Sequence, residues 1–571
     1  MTTKEVKRRE RHFLPQDLVI REWSDIGPFY TALAERAIAS ADELLRWIAD
    51  RSETDAVLDE EYRWRYIRQT CDTDDEAYKK AYEDFIEHMM PNWMTVMNQL
   101  NKKLAESPFM KELDQDRFFV YFRSLKSQLD LFREENIPIT QQIQLLSQEY
   151  GSTIGAMTIE HEGTEYTLPQ AAVLLQREDR TLRKEVFEKI NNRRQKDRQS
   201  LNDLFSKLIQ LRHTMALNAG FSNYRDYMFA EMGRFDYDVA ACEQFHEAIK
   251  TEVLPLVKKI LEKRKSDLQL DTLRPYDLEV ETSGHAPLKP FTTDEELVEK
   301  SVQCLQQADP FFAECISIMN DMQFLDLNSR KGKAPGGYNM TLPEIGVPFI
   351  FMNAAGTQRD VETMVHEAGH AVHSFLMRTL PYNFDQEITS EIAELASMSM
   401  ELMTFDGLSA FYSEEDKKRA IQTHLEGIVL ILPWIAIIDK FQHWIYLNPN
   451  HTVEEREQKW LEIHQWLSAE VTDWSGYEEY RKALWQKQLH LFEVPFYYIE
   501  YGIAQLGAIS VWKNYKQDKK AAIQSYKNAL SLGYTKPIPE VYKTAGVAFN
   551  FSRSYVHDLM QFLQQELDKM A

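Results

Sequence analysis

The sequence predicts a mainly α-helical protein with a small β-hairpin and a short β-sheet, and three observations lead there. Gly and Pro number only 20 each in 571 residues, too few for a turn-rich all-β chain. Long stretches, Ala32 to Ile48, Ala77 to Leu104 and Thr181 to Ala216, carry apolar residues at helical spacing among many Glu, Lys, Arg and Gln. The places that break this rhythm are short, and no fixed-period repeat suggests a solenoid.

Thr153 to Leu168 alternates around Glu162-Gly163, the pattern of a hairpin. Leu268 to Thr292 holds Pro275, Pro287 and Pro290 and reads as extended chain. Arg330 to Phe351 is rich in Gly and Pro and ends in an apolar β-type run. The hairpin and the highly charged Arg177 to Arg198 stretch suggest a division into residues 1–200 and 201–571. The apolar run Ile428 to Ile438 lies between Glu426 and Asp439 and contains Pro433. It is too short to span a bilayer, which needs about 20 residues, and reads as a buried helix kinked at the proline.

Hydrophobic residues make up 44% of the chain, enough for a large core. A net charge of −23 argues against nucleic acid, whose phosphates need a basic surface. The basic stretch Met1 to Phe13 is followed by no apolar segment of signal-peptide length. Cys71, Cys242, Cys304 and Cys315 show no CxxC spacing, as expected of buried thiols in a reducing compartment. These features predict a soluble cytoplasmic protein with no membrane partner.

The chemistry lies in Gly356 to Pro381. Thr357 and Asp360 form a capping-box pattern, and Val361, Met364, Val365, Ala368, Val372, Phe375 and Leu376 make a helical apolar stripe. On this helix His366, Glu367 and His370 spell H-E-x-x-H. Histidines at i and i+4 leave one face together and suit a single Zn²⁺, while the glutamate between them can act as general base on a metal-bound water. A catalytic zinc needs a third protein ligand. The extended pattern HExxHxxGxxH fails, because His373 and Leu376 stand where Gly and His are required. Ile388 to Met403 reads as a second helix, and Glu391, Glu394 and Glu401 share one of its faces. Spacing alone leaves all three open as the third ligand. His373 lies one turn beyond His370, as a supporting or a packed structural histidine.

HEAGHAVHSF followed by SEIAELASMSME resembles the M3 family of zinc metallopeptidases, in particular the oligoendopeptidase F and Pz-peptidase branches. The resemblance extends to Arg212–Tyr227, to Gly336-Gly337-Tyr338, to Pro348–Asn353, and to Tyr526–Gly533 with Ala545-Gly546-Val547. It implies a helical zincin enclosing a deep substrate channel, with residues 1–200 as one wall and 201–571 as the catalytic domain. It implies Glu394, of Glu394-Leu395-Ala396-Ser397, as third zinc ligand, and Glu401 as a supporting acid. In His490 to Gly507 it implies that His490, Tyr497 and Tyr501 hydrogen-bond the scissile carbonyl. Position 504 departs from other branches, with Ala504 in place of Tyr, so Tyr498 enters as a further candidate. Gly336, Gly337 and Tyr338 would bind substrate backbone by strand addition.

The expected function is hydrolysis of internal bonds in short unstructured peptides with one Zn²⁺ per chain. No nucleophile motif such as G-x-S-x-G competes with it. The alternatives are an inactive helical peptide-binding protein, or a zinc hydrolase of non-peptide amides or C-terminal residues.

Overall fold

The computed structural model describes residues 6–282, 284–330, 332–334 and 336–570, so the first five residues of the basic N-terminal stretch lie outside it. It is 69% helical. The strands are β1 (Thr158–His161), β2 (Thr164–Thr167), β3 (Leu325–Asn328), β4 (Tyr338–Leu342) and β5 (Val347–Ala354). The helices that position functional side chains are α1 (Ala41–Cys71), α2 (Arg198–Asn218), α3 (Val239–Ala248), α4 (Gln358–Met377), α5 (Ser390–Met403), α6 (Glu414–Leu447) and α7 (Tyr498–Gln517).

The chain forms two compact units, each assembled from three segments. The first comprises Met1–Asp130, Leu288–Ile421 and Ala504–Phe549, and the second Leu131–Pro287, Gln422–Ile503 and Asn550–Ala571. The division expected at residue 200 falls inside the second unit. There Asp197 joins a helix over Arg180–Lys196 to α2, so the charged stretch marks a joint between helices. The segment Ala32 to Ile48 is likewise interrupted, with one helix ending at Glu35 and α1 starting after Ser40, whose hydroxyl accepts from Glu43 N.

In the first unit β5 is the central strand of three. β3 pairs with it in parallel and β4 antiparallel, with Tyr338 opposite Phe351 and Leu342 opposite Val347. β5 is buried along almost its whole length because both of its edges are paired. Gly346 closes the β4–β5 turn at φ +66, a conformation that side chains rarely adopt. Leu342, Phe349 and Phe351 pack with Ile67 and Trp64 of α1, which fixes the sheet on that helix.

In the second unit the β1–β2 hairpin turns at Glu162 and Gly163, φ 50 and 78, the pair of left-handed residues of a type I′ turn. The described part of Leu268 to Thr292 forms no strand and contains a short 3₁₀ turn at Pro275–Asp277 and one bridge, Leu273 to Thr472. α6, whose residues from Gln422 onward belong to this unit, runs for 34 residues with Pro433 inside it. It is long and apolar enough to cross a membrane by composition, yet 56% of its most apolar window is buried inside the protein. Leu425, Val429, Leu432, Ala436, Phe441 and Ile445 are fully buried, as expected of a core helix.

Candidate active site

α4 starts as its sequence demands. Thr357 Oγ1 accepts from Asp360 N at 3.3 Å, and Asp360 Oδ2 accepts from Thr357 N at 2.8 Å, which completes the capping box. β5 leads directly into this cap, so the sheet sets where the helix begins. β4 then runs along the helix: Asn339 Nδ2 donates to Glu367 O at 3.2 Å, and Thr341 Oγ1 lies 2.7 Å from Ser374 Oγ.

The pairing of α4 with α5 depends on Gly369. A Cβ at that position would lie 2.5 Å from Ser397 Cα and 2.8 Å from Ala396 O, so only glycine lets the two backbones approach this closely. The face of α5 is held from behind by two tyrosines: Tyr526 donates to Ala396 O at 2.8 Å and Tyr542 to Glu391 O at 2.9 Å.

This approach selects among the three glutamates. Glu394 Oε2 lies 3.4 Å from His366 Nε2 and 3.9 Å from His370 Nε2, and one ligand atom from each of the three residues lies within 4.8 Å of the others. Donor atoms around a tetrahedral zinc are separated by roughly 3.3–3.5 Å, so the spacing and the two-imidazole, one-carboxylate set both fit a divalent metal. Ser397 Oγ donates to Glu394 Oε2 at 3.0 Å and orients that carboxylate. Glu401 takes a different part. Its Oε1 lies 2.6 Å from His366 Nδ1, which fixes the ring so that Nε2 faces Glu394. Glu391 is 2% exposed and joins no metal-type group among the described residues.

The electrostatics follow from burial and these partners. Burial alone would lower His366, but hydrogen bonds and charge from Glu394 and Glu401 hold it well above its ordinary value. Burial raises Glu394, but the hydrogen bond and charge of His366 outweigh it and leave the carboxyl below its usual range. Burial pushes His370 down to about 4. Glu367 is 6% exposed, and its Oε2 makes no hydrogen bond within the protein. Burial, reinforced by Glu394 and Glu401, pushes it up to about 7. His373 is 1% exposed, and burial takes it down to about 3, which makes it a packed neutral histidine.

Gly336 has φ +99, and a Cβ on Gly337 would lie 3.3 Å from Phe351 O, so this glycine pair lets the chain enter β4 close against β5. The Tyr338 side chain is occupied within the unit. It stacks on Phe351 at 4.8 Å and its hydroxyl lies 2.7 Å from Thr70 Oγ1. What this segment offers a ligand is therefore the backbone of an edge strand.

In the second unit the structure brings His490, Tyr497, Tyr498 and Tyr501 together. The His490 ring lies 5.9, 4.9 and 5.8 Å from the three tyrosines in that order. His490 Nδ1 is 2.8 Å from Gln488 Nε2, and Gln488 Oε1 accepts from Trp434 Nε1 at 2.9 Å. An indole nitrogen only donates, so the amide presents its NH₂ to His490, and the imidazole proton resides on Nε2. Burial raises the Tyr498 hydroxyl to about 12.

Two arginines anchor this segment, and sequence reading gave neither a role. Arg212 of α2, fully buried, donates to Leu491 O at 3.0 Å, to Phe492 O, and to Tyr446 Oη at 2.8 Å. Arg234 donates to Phe496 O and to Glu500 Oε1 at 2.9 Å. They hold Phe496 at φ +70, a strained value for a bulky residue, immediately before Tyr497. A buried arginine has no local sequence signal, since its partners, backbone carbonyls and side chains alike, lie hundreds of residues away.

Residues 173–560 match the model of peptidase family M3, and residues 18–132 match the peptidase M3 N-terminal domain. The chain is 23% identical over 409 residues to oligopeptidase PepF of Bacillus subtilis, covering 69% of this chain and 58% of that protein. It is 24% identical over 435 residues to group B oligopeptidase PepB of Streptococcus agalactiae, covering 71% and 66%. It therefore spans less than two thirds of the length of either curated relative. Among solved structures, Pz peptidase A with inhibitor 2 superposes with a TM-score of 0.89 at 27% identity, over 99% of this chain and 98% of that one. Oligoendopeptidase F from Enterococcus faecium gives 0.65 at 16% identity over 96% and 97%, a likeness of fold alone. With residues 173–560, more than half of the chain, matched by the family model, the chain belongs to peptidase family M3.

Proposed function

We propose that the protein is a zinc-dependent oligopeptidase that hydrolyses internal bonds of short unstructured peptides. The observation that carries this reading is the His366–His370–Glu394 group, with the buried carboxylate of Glu367 beside it on the same helix. Membership of a metallopeptidase family implies a metal, and the donor set favours one zinc ion. These three residues would hold zinc, which would supply a Lewis acid to activate water and offset charge on the scissile carbonyl.

Glu367 takes the proton from the attacking water and passes it to the leaving amine. Its elevated pKa suits both steps, because a group near neutrality can accept and then release a proton. Glu401 keeps the His366 ring oriented. His490 donates from Nε2 to the developing oxyanion, and Tyr497 and Tyr501 donate from their hydroxyls, with Tyr498 as the further candidate; in preorganised sites such donors are worth roughly 3–4 kcal/mol each. The backbone of Gly336, Gly337 and Tyr338 at the β4 edge pairs with an extended peptide as an added strand. A cytoplasmic location accords with four cysteines that form no disulfide.

The test is Glu367→Gln beside wild type on a quenched peptide with one internal scissile bond. Loss of several orders of magnitude in kcat is expected; equal cleavage by the two purified proteins would refute the assignment.

A further inference from the structure

A second group of ligand-type side chains lies within the second unit, far in sequence from HExxH. Cys242 and His246 stand one turn apart on α3, and Asp439 and His443 one turn apart on α6. Residues at i and i+4 leave a helix on the same face. All four are buried, at 1%, 1%, 0% and 7% exposure. One ligand atom each from Cys242, Asp439 and His443 lies within 4.8 Å of the others. Asp439 Oδ2 is 2.8 Å from His246 Nε2 and 3.2 Å from His443 Nε2.

Hydrogen bonding inside the protein accounts for this group only in part, through the His246–Asp439 contact. Neither ring nitrogen of His443 reaches hydrogen-bond geometry, and Asp439 Oδ1 and His246 Nδ1 also have no such partner. A buried polar atom left this way costs roughly 1–3 kcal/mol, and here four meet on aromatic walls. The His443 ring packs 5.5 Å from Phe496 and 6.1 Å from Phe229. Burial works against ionisation of Asp439, yet the charge of His443 and the hydrogen bond from His246 hold its carboxyl well below the usual range. A carboxylate, two imidazoles and a thiol converge in a buried space.

We propose that Cys242, Asp439 and His443 form a second, structural site for a divalent ion of the zinc type, with His246 holding the Asp439 carboxylate in place. A thiolate, an imidazole nitrogen and a carboxylate make a borderline-soft set suited to such an ion. The ion would cross-link α3 to α6. It would also brace the segment before Tyr497, because His443 packs on Phe496 and the adjacent Gln442 Oε1 accepts from Phe496 N at 2.6 Å.

The experiment uses the full chain, stripped of metal and reconstituted with Co²⁺, with metal content measured by plasma mass spectrometry. The His366–His370–Glu394 set holds no sulfur, so a thiolate-to-cobalt charge-transfer band in the near ultraviolet reports this site alone. Expected are two ions per chain, that band in the wild type, and loss of one ion and of the band in Cys242→Ser with unchanged circular dichroism. The His366→Ala/His370→Ala double variant should keep one ion and the band, which separates this site from the proposed catalytic one. Folded wild type that takes up one ion per chain and shows no thiolate band would overturn the proposal.

Discussion

Gln488 Nε2 donates to His490 Nδ1 at 2.8 Å, and the opposite end of the same amide is fixed by the Trp434 indole. The relay decides which imidazole nitrogen carries the proton. Replacing Gln488 by Leu frees the tautomer and should lower kcat roughly tenfold with little change in KM, because only a donor used in the transition state is weakened. Steady-state kinetics on a quenched peptide check this. An unchanged kcat would remove His490 from the oxyanion role.

Glu401 contacts His366 Nδ1 at 2.6 Å and stands outside the proposed ligand set. Glu401→Gln should weaken zinc binding by roughly 10–100-fold, as loss of a partner that orients a ligating histidine does. Competition with a chelator of known affinity measures it. By contrast Glu394→Ala should abolish stoichiometric zinc at His366 and His370, while Glu391→Ala should retain it. Undiminished metal in the Glu394 variant would overturn the ligand assignment.

Gly369→Ala places a methyl group 2.5 Å from Ser397 Cα, against backbone that cannot yield cheaply. The expected effect is a destabilisation of about 1–3 kcal/mol from overpacking, read as a lowered Tm. Zinc content should fall with it, because separating α4 from α5 withdraws Glu394 from the histidines. A variant with wild-type Tm and zinc would show that the close approach is dispensable.

Glu367 must be ionised to accept a proton, and burial raises it to about 7. Falling pH protonates it, so kcat/KM should decline on the acid side with a midpoint at or below about 7, since a nearby cation pulls a carboxylate downward. A pH series of kcat/KM checks the direction. Activity that stays level to pH 5 would argue against a base in this environment.

The helical class, the hairpin at Glu162-Gly163 and the capped helix carrying His366, Glu367 and His370 were all legible in the sequence. Each is encoded locally: a turn needs two residues that tolerate positive φ, a cap needs Thr and Asp three apart, and an i, i+4 pair shares a face whatever the rest of the chain does. The long helices were legible in kind but not in their breaks. The break at Asp197 and the gap before Ser40 have no local Gly or Pro signal in the sequence.

What only the tertiary structure decided is which residues of separate elements meet. Glu391, Glu394 and Glu401 share a face in sequence, and the contact that Gly369 allows between α4 and α5 brings Glu394 to both histidines while Glu401 meets His366 Nδ1. The Cys242–His246 and Asp439–His443 pairs stand nearly two hundred residues apart, and neither is notable alone. Local sequence fixes dihedral angles and faces, because those interactions span a turn or two. The meeting of side chains from distant elements is set by how whole helices pack, and no short window of sequence contains it.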